Sequence, residues 1–182
     1  MHRTKLRKLS IAGLFCALAV VGSLLSFPVL GSRCAPVQHM VNVLCGLLLG
    51  PGYGLGTAFC ASLLRNLFGL GSLLAFPGSM FGALFCGLAY KQWKKLLPCL
   101  LAELLGTSLA GGLAAWPLAV LFLGETAAEL AIYAYIFPFF LSTAAGTLLS
   151  GMLVISLQRA GLLQTLQGQL QTAKAEKEAG IC

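Results

Sequence analysis

The chain has 182 residues, 58% of them apolar and only 9% charged, with a mean hydropathy of +0.90. Soluble domains carry roughly 25% charged residues, so a cytosolic enzyme, a nucleic-acid-binding domain and a disordered chain are all excluded. The formal net charge of +7 comes from short clusters beside apolar runs, where it sets topology and meets anionic lipid and does not recruit nucleic acid.

At this length one helix bundle accounts for the chain. His2, Arg3, Lys5, Arg7 and Lys8 precede the first apolar run, an arrangement resembling a signal peptide. Bulky Phe27 and Pro28 stand where small cleavage-site residues would be needed, so the segment reads as a retained first helix. Within it Ala12 and Cys16, Gly13 and Ala17, then Ala19 and Ser23 are small residues four apart, which lets another helix approach closely. Apolar runs follow at about 37–68, 72–90, 96–122 and 126–157, after the first at about 9–31. Gly50-Pro51-Gly52 breaks the second run, because proline removes a backbone donor and the glycines favour a turn. The resulting pieces are shorter than a ~30 Å hydrocarbon core at ~1.5 Å per residue, which is tolerated inside a bundle or beside a cavity.

Charge parity counts the spans independently. The N-terminal cluster is cytoplasmic by the positive-inside rule, and so are Lys91, Lys94 and Lys95, which requires an even number of crossings between them. Counting the Gly-Pro-Gly break gives four. Two more, with a turn near Gly124, return Arg159, Lys174 and Lys177 to the inside. The fold class is therefore an all-α membrane protein, a bundle of six transmembrane helices with both termini cytoplasmic. Residues 1–158 form one substrate-binding domain and 159–182 a polar tail. Pro138 kinks the last span or makes a re-entrant break. Leu162, Leu163, Leu166 and Leu170 are spaced as in a helix, so the tail is a short interfacial helix or a solvated extension.

This topology sorts the polar residues by depth. Arg33, Gln38, His39 and Asn42 fall at one outer end, Arg65, Asn66 and Phe76 at a second, and Trp116, Glu125, Glu129, Tyr133 and Tyr135 at a third. Together they describe an outward-facing pocket for a small polar aromatic ligand. Glu103, ~12 Å in from the lysine end, reads as a structural partner of a hydroxyl such as that of Thr107. Seven cysteines, none in a CxxC pair, behave as small apolar residues, and a disulfide framework is not expected. Nothing in the sequence supplies catalysis or holds a metal: HExxH, GxSxG and GxxxxGK[ST] are absent, and no cofactor is implied.

The stretches Pro36-Val37-Gln38-His39-Met40-Val41-Asn42, Leu49-Gly50-Pro51, Ser62-Leu63-Leu64-Arg65-Asn66 and Ala75-Phe76-Pro77-Gly78-Ser79 resemble the ThiW family. Glu103 with Gly106-Thr107, and Phe137-Pro138-Phe139 with Ser142, are similar to its last two helices. The resemblance covers about residues 5–155 and implies a substrate-binding S component of an energy-coupling factor (ECF) transporter. Such a protein captures hydroxyethylthiazole, the thiazole precursor of thiamine, at the bacterial cell membrane. It works with a transmembrane coupling subunit and two ATPase subunits. On this reading Gln38, His39, Asn42, Arg65 and Asn66 hydrogen-bond the ligand, Phe76 or Trp116 supplies a stacking face beside Tyr133, and Ala12, Gly13, Cys16 and Ala17 dock the coupling subunit. A phosphate would call for two or more cations, and only Arg33 and Arg65 are available outside, which favours the neutral alcohol. The alternatives are an S component for thiamine or its pyrimidine precursor, and a stand-alone carrier, which would need a polar stripe across the whole membrane.

Overall fold

A computed structural model describes residues 2–29, 32–122, 124 and 131–178. Glu125 and Glu129 lie outside the described residues. Helix α1 (His2–Gly22) ends in a 3-10 turn at Ser23–Leu25, and a short hairpin follows, β1 (Phe27–Val29) with β2 (Ser32–Cys34). The remaining elements are α2 (Pro36–Leu48), α3 (Pro51–Leu67), α4 (Ala75–Trp93), α5 (Leu96–Leu105), a π-helical stretch at Gly106–Gly111, α6 (Gly112–Phe122), α7 (Ile136–Arg159) and α8 (Leu162–Glu178). Three rods, Thr4–Leu25, Leu96–Phe122 and Ile136–Arg159, are long and apolar enough to cross a membrane. Large apolar side chains such as Leu14, Leu121 and Leu148 are turned outward along them, a surface suited to lipid.

Proline sets two helix starts. Pro36 and Pro51 sit in the first turns of α2 and α3, where a missing N–H breaks no helical bond. Gly50, at φ +89°, makes the break between them. Pro51 also leaves the Leu47 carbonyl without the donor that a continuing helix would give it. Gln167 of α8 fills that place, its Nε2 donating to Leu47 O at 3.3 Å and to Tyr90 Oη at 2.8 Å. Leu163 and Leu170 bury on the same face, so this part of the tail is a helix packed on the chain and not a free solvated extension. It docks across the lysine end of the bundle.

Three further sequence expectations change. The helix predicted over 9–31 stops at Gly22, because Phe27-Pro28 favours extended backbone and pairs antiparallel with Arg33–Cys34; the fold thus holds a two-stranded hairpin besides its helices. Pro138 does not bend or interrupt α7. It stands in the first turn, where the ring is accommodated, while an internal proline falls in α6 at Pro117. Cys86 and Cys99 form a disulfide across α4 and α5, with Cα atoms 4.5 Å apart, whereas Cys16, Cys34, Cys45 and Cys60 are free. The two-residue link Lys94–Lys95 folds α5 back on α4 and brings these cysteines level, a tertiary proximity with no sequence signature.

Apolar clusters fill the lysine half, and another, of Leu74, Ala115, Ala119, Tyr135 and Phe139, lies at the opposite end. Ala12, Cys16 and Ala19 of α1 pack on Val41, Cys45 and Ala61, and Val43, Leu44, Leu47, Val154 and Leu163 form a second cluster beside them. The other half of the bundle is where polar side chains turn inward.

Candidate functional site

Helix α4 passes so close to the α5–α6 rod that a Cβ on Gly82 would collide with Thr107 Oγ1 and lie 2.8 Å from both carboxylate oxygens of Glu103. That approach seats Glu103 in the middle of the bundle with no exposure at all. Its Oε1 faces His39 Nδ1 at 3.0 Å and accepts from Asn42 Nδ2 at 2.9 Å. Where Glu103 is an ionised carboxylate, which only accepts, the bond requires the His39 proton on Nδ1. The other ring nitrogen, Nε2, meets Ser142 Oγ at 3.2 Å, and Ser142 Oγ also accepts the Ala35 N–H at 2.9 Å. One buried chain of bonds therefore ties α5, α2 and α7 to the end of the hairpin.

A second chain leaves from Asn42. Its Nδ2 donates to Ser79 O at 3.2 Å as well as to Glu103, and its Oδ1 accepts from Gln38 Nε2 at 3.4 Å. Gln38 Oε1 in turn accepts from Arg65 Nη1 at 3.2 Å. Gln38 and Asn42 lie one turn apart on α2, so both face the same way. Arg65, in the last turn of α3, is 2% exposed. The two carboxamides align head to tail between a guanidinium and a carboxylate.

Beside these chains lies a cavity of about 30 Å³ at the foot of a cleft with about 430 Å³ of unfilled space. Its walls include Arg33, Gln38, His39, Arg65, Thr107 and Ser142, with Leu74 and Phe139 as large apolar side chains. By this measure a water needs ~10–15 Å³, so the space holds about two waters. An aromatic ring enters only as the walls give way. The mouth is where they can: Arg33 Nη1 of the hairpin donates to Leu70 O at 3.0 Å, strapping the hairpin to the loop between α3 and α4. Asn66 Nδ2 holds the same loop through Ser72 O at 3.0 Å and is anchored on Ser62 O at 2.8 Å.

The residues singled out in the sequence divide accordingly. Gln38, His39 and Arg65 are on the cavity wall, and Asn42 stands behind them, orienting Glu103 and Gln38. Asn66 shapes the loop and is not on the wall. Phe76 packs against Phe59, ring centroids 5.6 Å apart. Trp116 is half-buried on α6 and is not on the cavity wall, and Tyr133 is 67% exposed. The aromatic wall is Phe139, whose ring lies where a Gly78 side chain would be. Glu103 does not bond Thr107, as the sequence reading had it. Thr107 Oγ1, Glu103 Oε2 and Arg65 Nε are buried without a hydrogen-bond partner. On α1, Ala12 and Cys16 pack into the chain's own core, and Gly13 and Ala17 face outward.

No curated protein and no solved structure matches the chain. A family model described as thiamine-precursor transporter protein (ThiW) matches residues 9–160. The chain accordingly belongs to the ThiW family of thiamine-precursor transporters.

Proposed function

We propose that this chain is the substrate-capturing S component of an ECF importer in a bacterial plasma membrane, and that it takes a thiazole precursor built on the hydroxyethylthiazole skeleton. The observation that carries the reading is the polar cavity at the end opposite the lysine clusters, with Arg33, Gln38, His39 and Arg65 on its wall and apolar packing behind it. A cup closed at one end suits capture followed by reorientation and gives no continuous path for a solute. Six crossings with cytoplasmic termini would put the cavity outside, within a 1–158 binding domain, and α8 of the 159–182 tail against the inner end. Thr107, whose hydroxyl has no hydrogen-bond partner among the described residues, would meet the ligand's ring nitrogen or hydroxyl, with Phe139 to stack on the ring and His39, held by Glu103 and Ser142, shaping the wall. Gly13 and Ala17 give the flat outer face of α1 that a transmembrane coupling subunit would cover, and two separate ATPase subunits would drive the cycle.

Isothermal titration of the purified chain in lipid nanodiscs against hydroxyethylthiazole, the pyrimidine half, thiamine, riboflavin and biotin tests the ligand. Binding confined to a non-thiazole compound would move the chain to another vitamin. Uptake by this chain alone, unaffected by ATP depletion, would make it a carrier instead.

One observation favours a second reading. Ser142, His39 and Glu103 follow the order and spacing of a hydrolase triad, 3.2 Å and 3.0 Å apart. The Ala35 N–H, however, engages the serine oxygen that would have to attack, which makes Ser142 a strut between hairpin and α7. Covalent labelling of Ser142 by a fluorophosphonate would support hydrolysis; an unlabelled serine supports capture.

A further inference from the structure

Arg33 and Arg65 are far apart in sequence and reach the cavity from different elements, the hairpin and α3. In the fold they share one wall. Arg65 is almost fully enclosed, uses one Nη1 bond on Gln38, and leaves its Nε–H without any acceptor. Neither guanidinium has a carboxylate in contact among the described residues, which leave out Glu125 and Glu129. Among the described residues the one ion pair is His39 with Glu103. Glu103 reaches Arg65 only through two carboxamides and is not part of the cavity wall. The wall therefore presents, among the described residues, two guanidinium charges and no anion.

Enclosing a charge in a low-dielectric interior is costly unless a counter-charge or a full set of hydrogen bonds meets it. The partial negative charge at the C-terminus of α3 offsets part of Arg65, but it lies along the helix axis and supplies no acceptor to Nε. A guanidinium Nε–H, taken with the neighbouring Nη–H, forms two parallel donors that match the two oxygens of a carboxylate or phosphate. That side of Arg65 is the one whose Nε–H makes no hydrogen bond among the described residues. Arg33 stands at the mouth, where releasing its single bond to Leu70 O would let it close over a bound anion.

We propose that the ligand carries an oxyanion, a phosphate ester or a carboxylate on the thiazole-precursor skeleton, seated between Arg65 and Arg33 with its ring toward Phe139. This rests on the thiazole reading above and deepens it. It reverses the preference for a neutral alcohol drawn from sequence, because that preference counted the two arginines without knowing that they converge.

The test is isothermal titration of the full chain in phosphatidylcholine nanodiscs with four probes: hydroxyethylthiazole, its monophosphate, the corresponding thiazole-acetic acid, and inorganic phosphate as competitor. At least one thiazole anion should bind about tenfold or more tighter than the alcohol, and whichever anion is tighter identifies its source. Inorganic phosphate should weaken that anion's binding. Arg65→Gln should bring the anion-to-alcohol ratio close to one. Arg33→Gln, on the exposed hairpin, should lower the same ratio without disturbing a buried residue, which keeps the test alive if Arg65→Gln does not fold. Alcohol binding as tight as both anions, or an unchanged ratio in Arg33→Gln, overturns the oxyanion and leaves the thiazole reading intact. Failure of every thiazole compound to bind overturns both.

Discussion

Replacing Glu103 separates the two things its carboxylate does, accepting hydrogen bonds and carrying charge. Glu103→Ala leaves the His39 Nδ1–H and the Asn42 Nδ2–H facing nothing, in a place with no exposure. An orphaned buried donor costs about 1–3 kcal/mol, so the two together cost about 2–6 kcal/mol. Glu103→Gln keeps an oxygen for both donors and loses only the charge. Hydrogen bonds to charged groups contribute about 1.5–3 kcal/mol against about 0.5–1.5 for neutral ones, so this variant loses about 2 kcal/mol over the two bonds. Reversible unfolding in mixed detergent micelles should rank wild type above Glu103→Gln and Glu103→Ala lowest, with ligand affinity falling in the same order as His39 and Asn42 lose their orientation. An alanine variant as stable as wild type would refute the hydrogen-bond accounting, and so would a glutamine variant as damaged as the alanine one.

Three further outcomes are expected. Gly82→Ala forces a methyl into Thr107 and the Glu103 carboxylate; overpacking of this kind costs about 1–3 kcal/mol, readable as a lowered unfolding midpoint, while Gly56→Ala, with open space around its Cβ, should change little. Gln167→Ala removes the donor to the Leu47 carbonyl and should cost about 1 kcal/mol and increase proteolytic nicking between α7 and α8. Gly13→Leu and Ala17→Leu, on the outer face of α1, should leave ligand affinity of the isolated chain unchanged yet abolish ATP-driven uptake in cells; uptake at the wild-type rate would remove this face from docking.

Much of the architecture was legible because apolar runs and prolines act locally. The Gly50-Pro51-Gly52 break, the turn after Leu67 and the return at Lys94–Lys95 are each written in a few adjacent residues. The hairpin was missed because its apolar composition continues that of α1, and hydropathy alone does not separate helix from extended chain in so short a piece. Pro138 was misread because a proline in a helix interior and one in a first turn look alike until the helix start is known. Of the site, the polar residues of α2 and Arg65 stood out as costly in an apolar setting. Glu103 was noticed but given the wrong partner, since the nearest hydroxyl in sequence, Thr107, is not the group its carboxylate meets. Phe139 was hidden among other aromatics, and only the bare Cα of Gly78 opposite explains why its ring turns inward. The disulfide needed the α4–α5 register, which no spacing rule supplies.

The head-to-tail carboxamides between Arg65 and Glu103 give this protein an internal polarity with one permitted sense. Rotating either amide by half a turn would set oxygen against oxygen or nitrogen against nitrogen, so Gln38 and Asn42 can reverse only as a pair, and only if the charges at both ends are exchanged as well. A double exchange, with Glu at 65 and Arg at 103, would restore the sense of that row but lose the bond of Glu103 to His39 and that of Asn42 to Ser79 O, whereas each single exchange leaves two like poles facing each other. Amino-acid choice at four positions on three helices is therefore a single choice, made once for all of them.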